Sequence, residues 1–429
     1  MKKLLGIVVL VLLWSGSAFS KTINSYEDLD LTSKPKKVLS KSKTKALWNA
    51  FSKAKECFEH PTYGEGFGYK LTKQKEDYFI KKEWITPFYK LSDEDKHKIS
   101  LSRAPKPLEK IKLDESYGEE LEEANFAMNY FQEAAYAGRA SNNEENINKI
   151  KAVLLDWAQK DALRKGINVS WGKKPVDWQM MVLINSILTT TAVIADKLDA
   201  EERKILGPWL NNLVKKVAKS RWKDRQDNKA YLTSYITMIW GLMINDLKAV
   251  QHSIDVVKLA INDMRPDGSF PIDTQRSGMG LKYNADSYGY LLMMASLLKD
   301  TTEQDLFKYN VDDRSLHNGA DFVIKGIMDP SKTNQIYAIS CPGGGDRWGS
   351  IEKPSKSFIK SSTYLMVYVS KFPDYKNSDV VLKKYNDTYN NKYLPKIKSE
   401  PSRVFTLHPM LITKSVSYTH LTLPTKRIV

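Results

Sequence analysis

Long stretches of this chain place apolar residues three and four positions apart, the interval at which side chains share one face of a helix. Phe126, Met128, Tyr130, Phe131 and Ala134 to Tyr136 open the first such pattern. Residues 142–160, with Ile147, Ile150, Val153, Leu154 and Trp157, carry the second. A long apolar helix is predicted over 178–198, and Ala200-Glu201-Glu202 opens the next, through Leu206, Trp209, Leu210, Leu213 and Val214. Further helices are predicted over 231–247, 251–262, 283–298, 315–328 and 361–372. The connections are short and every helix needs a partner for its apolar face, so the pattern predicts an all-α protein of paired, layered helices. Hairpins of this kind close into an incomplete ring or wind into a superhelix, and periodicity alone does not choose between them. No strict repeat of solenoid length is present.

Residues 21–110 lack this pattern. They are polar and lysine-rich, broken by Pro61, Gly64, Gly66, Gly68 and Pro87, and they end at Pro105-Lys106-Pro107. They read as an irregular arm laid over a main body spanning 111–414. Ahead of them, Met1-Lys2-Lys3, an apolar run from Leu4 to Trp14 and the small residues Ala18 and Ser20 form the three parts of a signal peptide. Residues 1–20 are therefore expected to be removed on export, leaving a periplasmic or secreted chain. The apolar run is too short to span a bilayer and no later stretch is long enough, so no membrane insertion is expected. At the other end the composition breaks near Ser415. Residues 415–429 resemble a translated adapter sequence and are expected to be a non-native tail.

Charge narrows the choice of partners. The 429 residues carry 66 Lys and Arg against 50 Asp and Glu, a net +16. A positive field of this size draws anions. Nucleic acid is the usual candidate, but export makes an acidic polysaccharide the better one; a monomer is compatible with this role. Cys57 and Cys341 are the only cysteines, enough for one bridge and too few for a cysteine metal cage. The six histidines have no ligand spacing, and the sequence has no HExxH, P-loop, dinucleotide fingerprint or nucleophile elbow. Neither a metal nor a cofactor is called for.

Two constellations carry candidate chemistry. Arg265-Pro266-Asp267-Gly268-Ser269-Phe270-Pro271 is a turn-rich loop, followed by Arg276 and then by Tyr283, Tyr288 and Tyr290 at the entrance to an apolar segment. It sets a cation and a phenol seven residues apart. Upstream, Asp227-Asn228-Lys229 precedes Tyr231 and Tyr235 on another predicted helix. Trp222, Tyr231, Tyr235, Tyr288 and Trp348 are candidates to border a sugar-binding cleft, Trp348 at the end of the loop Cys341-Pro342-Gly343-Gly344-Gly345-Asp346-Arg347-Trp348. Aromatics at helical spacing are more often core, so one or two of these are expected to touch ligand. Arg139 and Lys282 are candidate subsite cations.

In the order and spacing of these blocks, residues 118–375 resemble the alginate lyase superfamily, close to its mannuronate-preferring group. The resemblance is carried by the helix from Phe126 to Arg139, the Leu155-Asp156-Trp157 core, the Glu201-Glu202 block before Trp209, the Asn228 block, and the stretch from Asp267 to Tyr288. It implies an incomplete (α/α) toroid and polysaccharide lyase activity. The family shows an Asn-His pair followed by aromatics; here Asn228 matches the asparagine and Lys229 stands where the histidine is usual. The family's arginine and tyrosine, seven apart, are matched by Arg276 and Tyr283, and the interval from Lys229 to Arg276 agrees. The family's Tyr-His dipeptide is matched by Tyr283-Asn284, and its glutamate by Asp273. Proton transfer is usually assigned to the residue matched by Tyr283.

The implied reaction is β-elimination in a polyuronate. Removing the C5 proton builds negative charge on the neighbouring carboxylate, and cations and amide donors must offset it. Asn228 and Arg276 suit that role, with Arg able to make two parallel bonds to a carboxylate. Tyr283 is the proton-transfer group, and because a phenol ordinarily titrates near 10 it needs a cation beside it. Two roles are open to Lys229: a further neutraliser as ammonium, or a base once deprotonated by burial. Two other readings compete. A toroidal glycoside hydrolase needs two carboxylates across a cleft, for which Asp227, Asp267, Asp273 and Asp286 are available. A non-catalytic polyanion-binding protein needs only the basic surface.

Overall fold

A computed structural model describes residues 23–33, 35, 103–113, 123–124, 126–128, 130–131, 138, 143–169, 172–174, 178–220, 226–274, 276–337, 358, 362–381 and 383. Nine α-helices longer than a single turn can be followed within them. α1 is Glu144–Gln159, α2 Trp178–Val193, α3 Ala200–Ala218, α4 Asn228–Ile244, α5 Leu247–Asp263, α6 Gly280–Thr302, α7 Leu316–Met328, α8 Pro330–Tyr337 and α9 Leu365–Lys371. Their ends have local causes. Asn143 caps α1 by accepting from the Glu145 N–H at 2.9 Å. Asp199 and Glu202 cap each other's backbone at the head of α3, both at 2.8 Å. Asn245, in the left-handed region at φ 59°, turns α4 directly into α5.

The helices differ in how far they are enclosed. α1, α3 and α7 bury one face, in α3 Leu206, Trp209, Leu210, Leu213, Val214 and Val217, while α5 is buried more deeply, without a break from Val256 to Ile261. α2, α4 and α6 are enclosed on all sides over most of their length. Every residue of α4 from Ala230 to Leu242 is buried, and so is every residue of α6 from Asn284 to Leu298. α4 packs against α2, α3, α5 and α6, while α6 packs against α4, α5, α7 and α9. An enclosed helix must satisfy its polar side chains internally. Thr233 and Thr237 do so by donating to the carbonyls of Lys229 and Thr233, one turn back, at 2.9 and 3.0 Å. Enclosed helices flanked by one-faced helices, joined as hairpins, make the (α/α) toroid.

Among the described residues one sheet stands apart from the helices. Ile111–Leu113 pairs in parallel with Ile167–Val169, which pairs antiparallel with Gly172–Lys174, giving a small three-stranded sheet. Its three-residue strands are too short to register as an alternating pattern. Of the N-terminal arm, the described pieces lie against the helices. Leu29 is buried, the Asp30 N–H donates to Gln251 Oε1 at 2.7 Å, and Lys258 Nζ donates to the Asp30 carbonyl at 2.8 Å. Further along, Trp157 Nε1 donates to the Pro105 carbonyl at 3.2 Å. The leader, the 415–429 tail, Cys57 and Cys341 lie outside the described residues. Among the described residues no helix is long and apolar enough to cross a membrane.

Candidate active site

The two constellations meet at the N-terminal ends of enclosed helices. Asn228 and Lys229 are the first two residues of α4, and Tyr283 is the fourth of α6. Between them runs the turn at 265–270, closed by the Gly268 N–H to the Arg265 carbonyl and the Arg265 N–H to the Ser269 carbonyl, both at 2.9 Å. Gly268 sits at φ +91°, and a Cβ there would fall 2.0 Å from the Asn318 carbonyl oxygen of α7. Only glycine fits that turn. A single helical turn, Pro271–Thr274, then delivers Arg276 to the head of α4.

Arg276 is the hub. Its side chain is 7% exposed, and Nη2 donates to Asp227 Oδ2 at 3.0 Å and lies 3.7 Å from Asp273 Oδ1. Both carboxylates are fully buried. The guanidinium carbon stands 4.1 Å from the ring centre of Tyr283, and Lys282 Nζ stands 4.4 Å from the same centre. Lys282 is paired with Asp286 one turn along α6, and Ser287 Oγ–H donates to Asp273 Oδ2. Burial disfavours the charge on Arg276, but Asp273, Asp227 and Tyr283 together hold it more firmly charged than usual. For Asp273 burial dominates: its carboxyl is pushed up, opposed by Arg276 and Ser287 and assisted by the like charges of Asp227 and Asp286.

Asn228 is buried, and its side-chain oxygen has no hydrogen-bond partner among the described residues. Lys229 is half-buried and its N–H donates to Asp227 Oδ1 at 3.1 Å. A cation in the first turn of a helix works against the helix dipole, so this lysine is not there to stabilise α4. Tyr283 is half-buried, with its ring held rather than enclosed.

The chain matches the family model described as alginate lyase over residues 74–333. It belongs to the alginate lyase family. Curated relatives are distant. It is 24% identical over 192 residues to an alginate lyase of Pseudomonas syringae pv. syringae, covering 42% of this chain and 48% of that one. To a polysaccharide lyase of Stenotrophomonas maltophilia it is 26% identical over 156 residues, 36% of this chain and 46% of that one. The chain thus spans about half the length of the curated relatives it matches. The fold agrees over a longer stretch. The crystal structure of alginate lyase A1-III from Sphingomonas species A1 superposes with a TM-score of 0.58 at 15% identity, covering 72% of this chain and 91% of that one. A variant of that enzyme complexed with a tetrasaccharide superposes with a TM-score of 0.55, covering 71% and 89%.

Against this alginate lyase toroid, the remaining sequence-predicted residues divide. Tyr231, Tyr235 and Tyr288 are 1%, 4% and 1% exposed. Tyr231 packs on Phe270 and Tyr288 on Tyr368. Rings so enclosed offer no face to a sugar, which corrects their assignment to the cleft. Lys282 does reach the site, but as the partner of Asp286 and a neighbour of the Tyr283 ring. Arg139, Trp222 and Trp348 lie outside the described residues. The sequence reading missed the grouping of Asp227, Asp273 and Ser287 around Arg276. Two signals were present: Asp227 directly precedes a helix, and Asp273 and Lys282 have opposite charges three and four positions away.

Proposed function

We propose that this chain cleaves a uronic-acid polymer, alginate or polymannuronate first among them, by β-elimination. The observation that carries the reading is the Arg276 guanidinium over the Tyr283 ring, tied through Asp227 to the helix that begins Asn228-Lys229. Arg276 and Tyr283 are thereby linked to the residue that caps the helix bearing Asn228 and Lys229, and the N-termini of both helices favour an anion. Tyr283 takes the C5 proton. The electrons of that C–H bond form the C4–C5 double bond, the bond from C4 to the glycosidic oxygen breaks, and that oxygen takes up the proton from Tyr283. Lys229 and Asn228 offset the charge that develops on the uronate carboxylate. Lys229 acts as an ammonium in this scheme, a positive charge at the head of α4 beside Asn228.

The hydrolase reading is disfavoured by the state of its carboxylates. Asp227 and Asp273 share one arginine instead of facing each other across a cleft, Asp286 is paired with Lys282, and Asp267 accepts from the Ser269 N–H of its own turn at 2.8 Å. Export to the periplasm or beyond is part of the proposal, supported by the apolar run from Leu4 to Trp14 and suited to an extracellular polymer. The test is a panel of alginate, polymannuronate, polyguluronate, glucuronan and hyaluronan watched in the ultraviolet. Elimination makes an unsaturated uronate that absorbs there, and polymannuronate is expected to give the fastest rise. Chain shortening with no rise in absorbance defeats the lyase reading in favour of hydrolysis; binding with neither defeats it in favour of a binding protein.

A further inference from the structure

We infer that Asp227 is a positioning residue that joins the two halves of the site, with Asp273 as its second anchor; the inference deepens the lyase reading and rests on it for its kinetic arm. The two oxygens of Asp227 do different things. Oδ1 accepts from the N–H groups of Lys229 and Ala230, at 3.1 and 3.4 Å, and so fixes the start of α4 and the direction of Asn228 and Lys229. Oδ2 accepts from Arg276 at 3.0 Å, and Arg276 lies against Tyr283. One carboxylate therefore sets the distance between the proton-transfer group and the charge-offsetting pair.

A cap alone does not account for this residue. Asn, Ser and Thr cap a helix about as well as Asp and bring no charge. Asp227 is wholly buried, where an ionised carboxylate is costly unless a partner holds it. Its charge is used by Arg276. The same contacts then close into a loop: Arg276 approaches Asp273, Asp273 is held by the Ser287 hydroxyl, and Ser287 lies one turn after Tyr283 on α6. Tyr283 is gripped from its own helix and from across the gap. A group that must reach one proton gains rate from such restriction, since a misplacement of about 1 Å can cost on the order of a hundredfold.

Asp227→Asn separates the two duties, because Asn keeps the cap oxygen and turns away the arginine. The expected result on polymannuronate is a kcat lower by roughly a hundredfold, with KM changed by less than about threefold. Asp273→Asn, which still accepts from Ser287, is expected to lower kcat by about tenfold and serves as the second variant. A thermal unfolding cycle with Asp227→Asn, Arg276→Met and the double variant supplies a readout independent of turnover. Each single change is expected to lower Tm by roughly 5–10 °C, and the double variant by clearly less than the sum. Wild-type kcat in Asp227→Asn, or additive Tm losses, overturns the inference. Absence of an ultraviolet product from the wild type strikes the lyase reading alone, and the unfolding cycle still decides the coupling.

Discussion

Arg276 and Lys258 are both buried cations, held in different ways. Lys258, on α5, has a side chain that is 0% exposed, yet its carboxylate partners Asp255 and Asp30 are 36% and 45% exposed. A backbone carbonyl, that of Asp30, completes its shell at 2.8 Å. Arg276 is paired with two carboxylates that are themselves fully buried, and it keeps one face for an aromatic ring. The lysine is a peg that pins residues 23–33 to the toroid, its counter-charges still wetted. The arginine sits in a dry, over-determined cluster. Such a cluster is costly to desolvate and is not what a fold adopts to gain stability. Its value lies in holding the ring of Tyr283 in place.

The largest expected effect comes from breaking the costlier cluster. Arg276→Ala leaves two buried carboxylates without a cation and should cost about 3–5 kcal/mol in denaturant unfolding, together with loss of measurable turnover. Tyr283→Phe comes next and sharpens the contrast, because the ring stays over the guanidinium. Turnover should fall by about 10²–10⁴-fold while polymer binding and Tm stay near wild type. A milder prediction concerns pH. With its pKa raised, Asp273 holds a proton in the native state that the unfolded chain has already released, so its contribution to stability is largest below the ordinary carboxylate pKa and is lost as pH rises through the folded value of about 7. The wild type minus Asp273→Asn difference in unfolding free energy should therefore decline from about pH 4 to about pH 7. Burial sets the raised value, opposed by Arg276 and assisted by the like charges of Asp227 and Asp286. A flat difference would mean that Asp273 stays ionised throughout. The smallest effect is reserved for the peg: Lys258→Met should cost about 1–2 kcal/mol or less and leave turnover unchanged. A large loss of activity there would erase the distinction between the two cations.

The same contrast explains what the sequence made legible. One-faced helices announce themselves, and residues 142–160 and 315–328 were predicted close to where α1 and α7 lie. Enclosed helices do not. With apolar residues all round, α4 and α6 gave no clue to which tyrosines point outward, and Tyr231, Tyr235 and Tyr288 were read as cleft residues when they are core. Both helices also begin three residues before the starts that apolar spacing predicts, because the residues at their heads are partly polar. α8, short and polar, was not foreseen. Arg276 and Tyr283 could be paired from spacing and from the family resemblance. The link between Arg276 and Asp227 spans 49 positions and could not be read from local pattern.

The polar residues at the heads of α4 and α6 have a consequence for how such a protein can vary. Lys229 and Tyr283 are half-buried at helix tips, and the unbroken buried runs begin just behind them, at Ala230 and Asn284. Replacing a rim side chain such as Lys229 disturbs no interior packing, so the toroid can exchange its chemistry one position at a time while its architecture stays fixed.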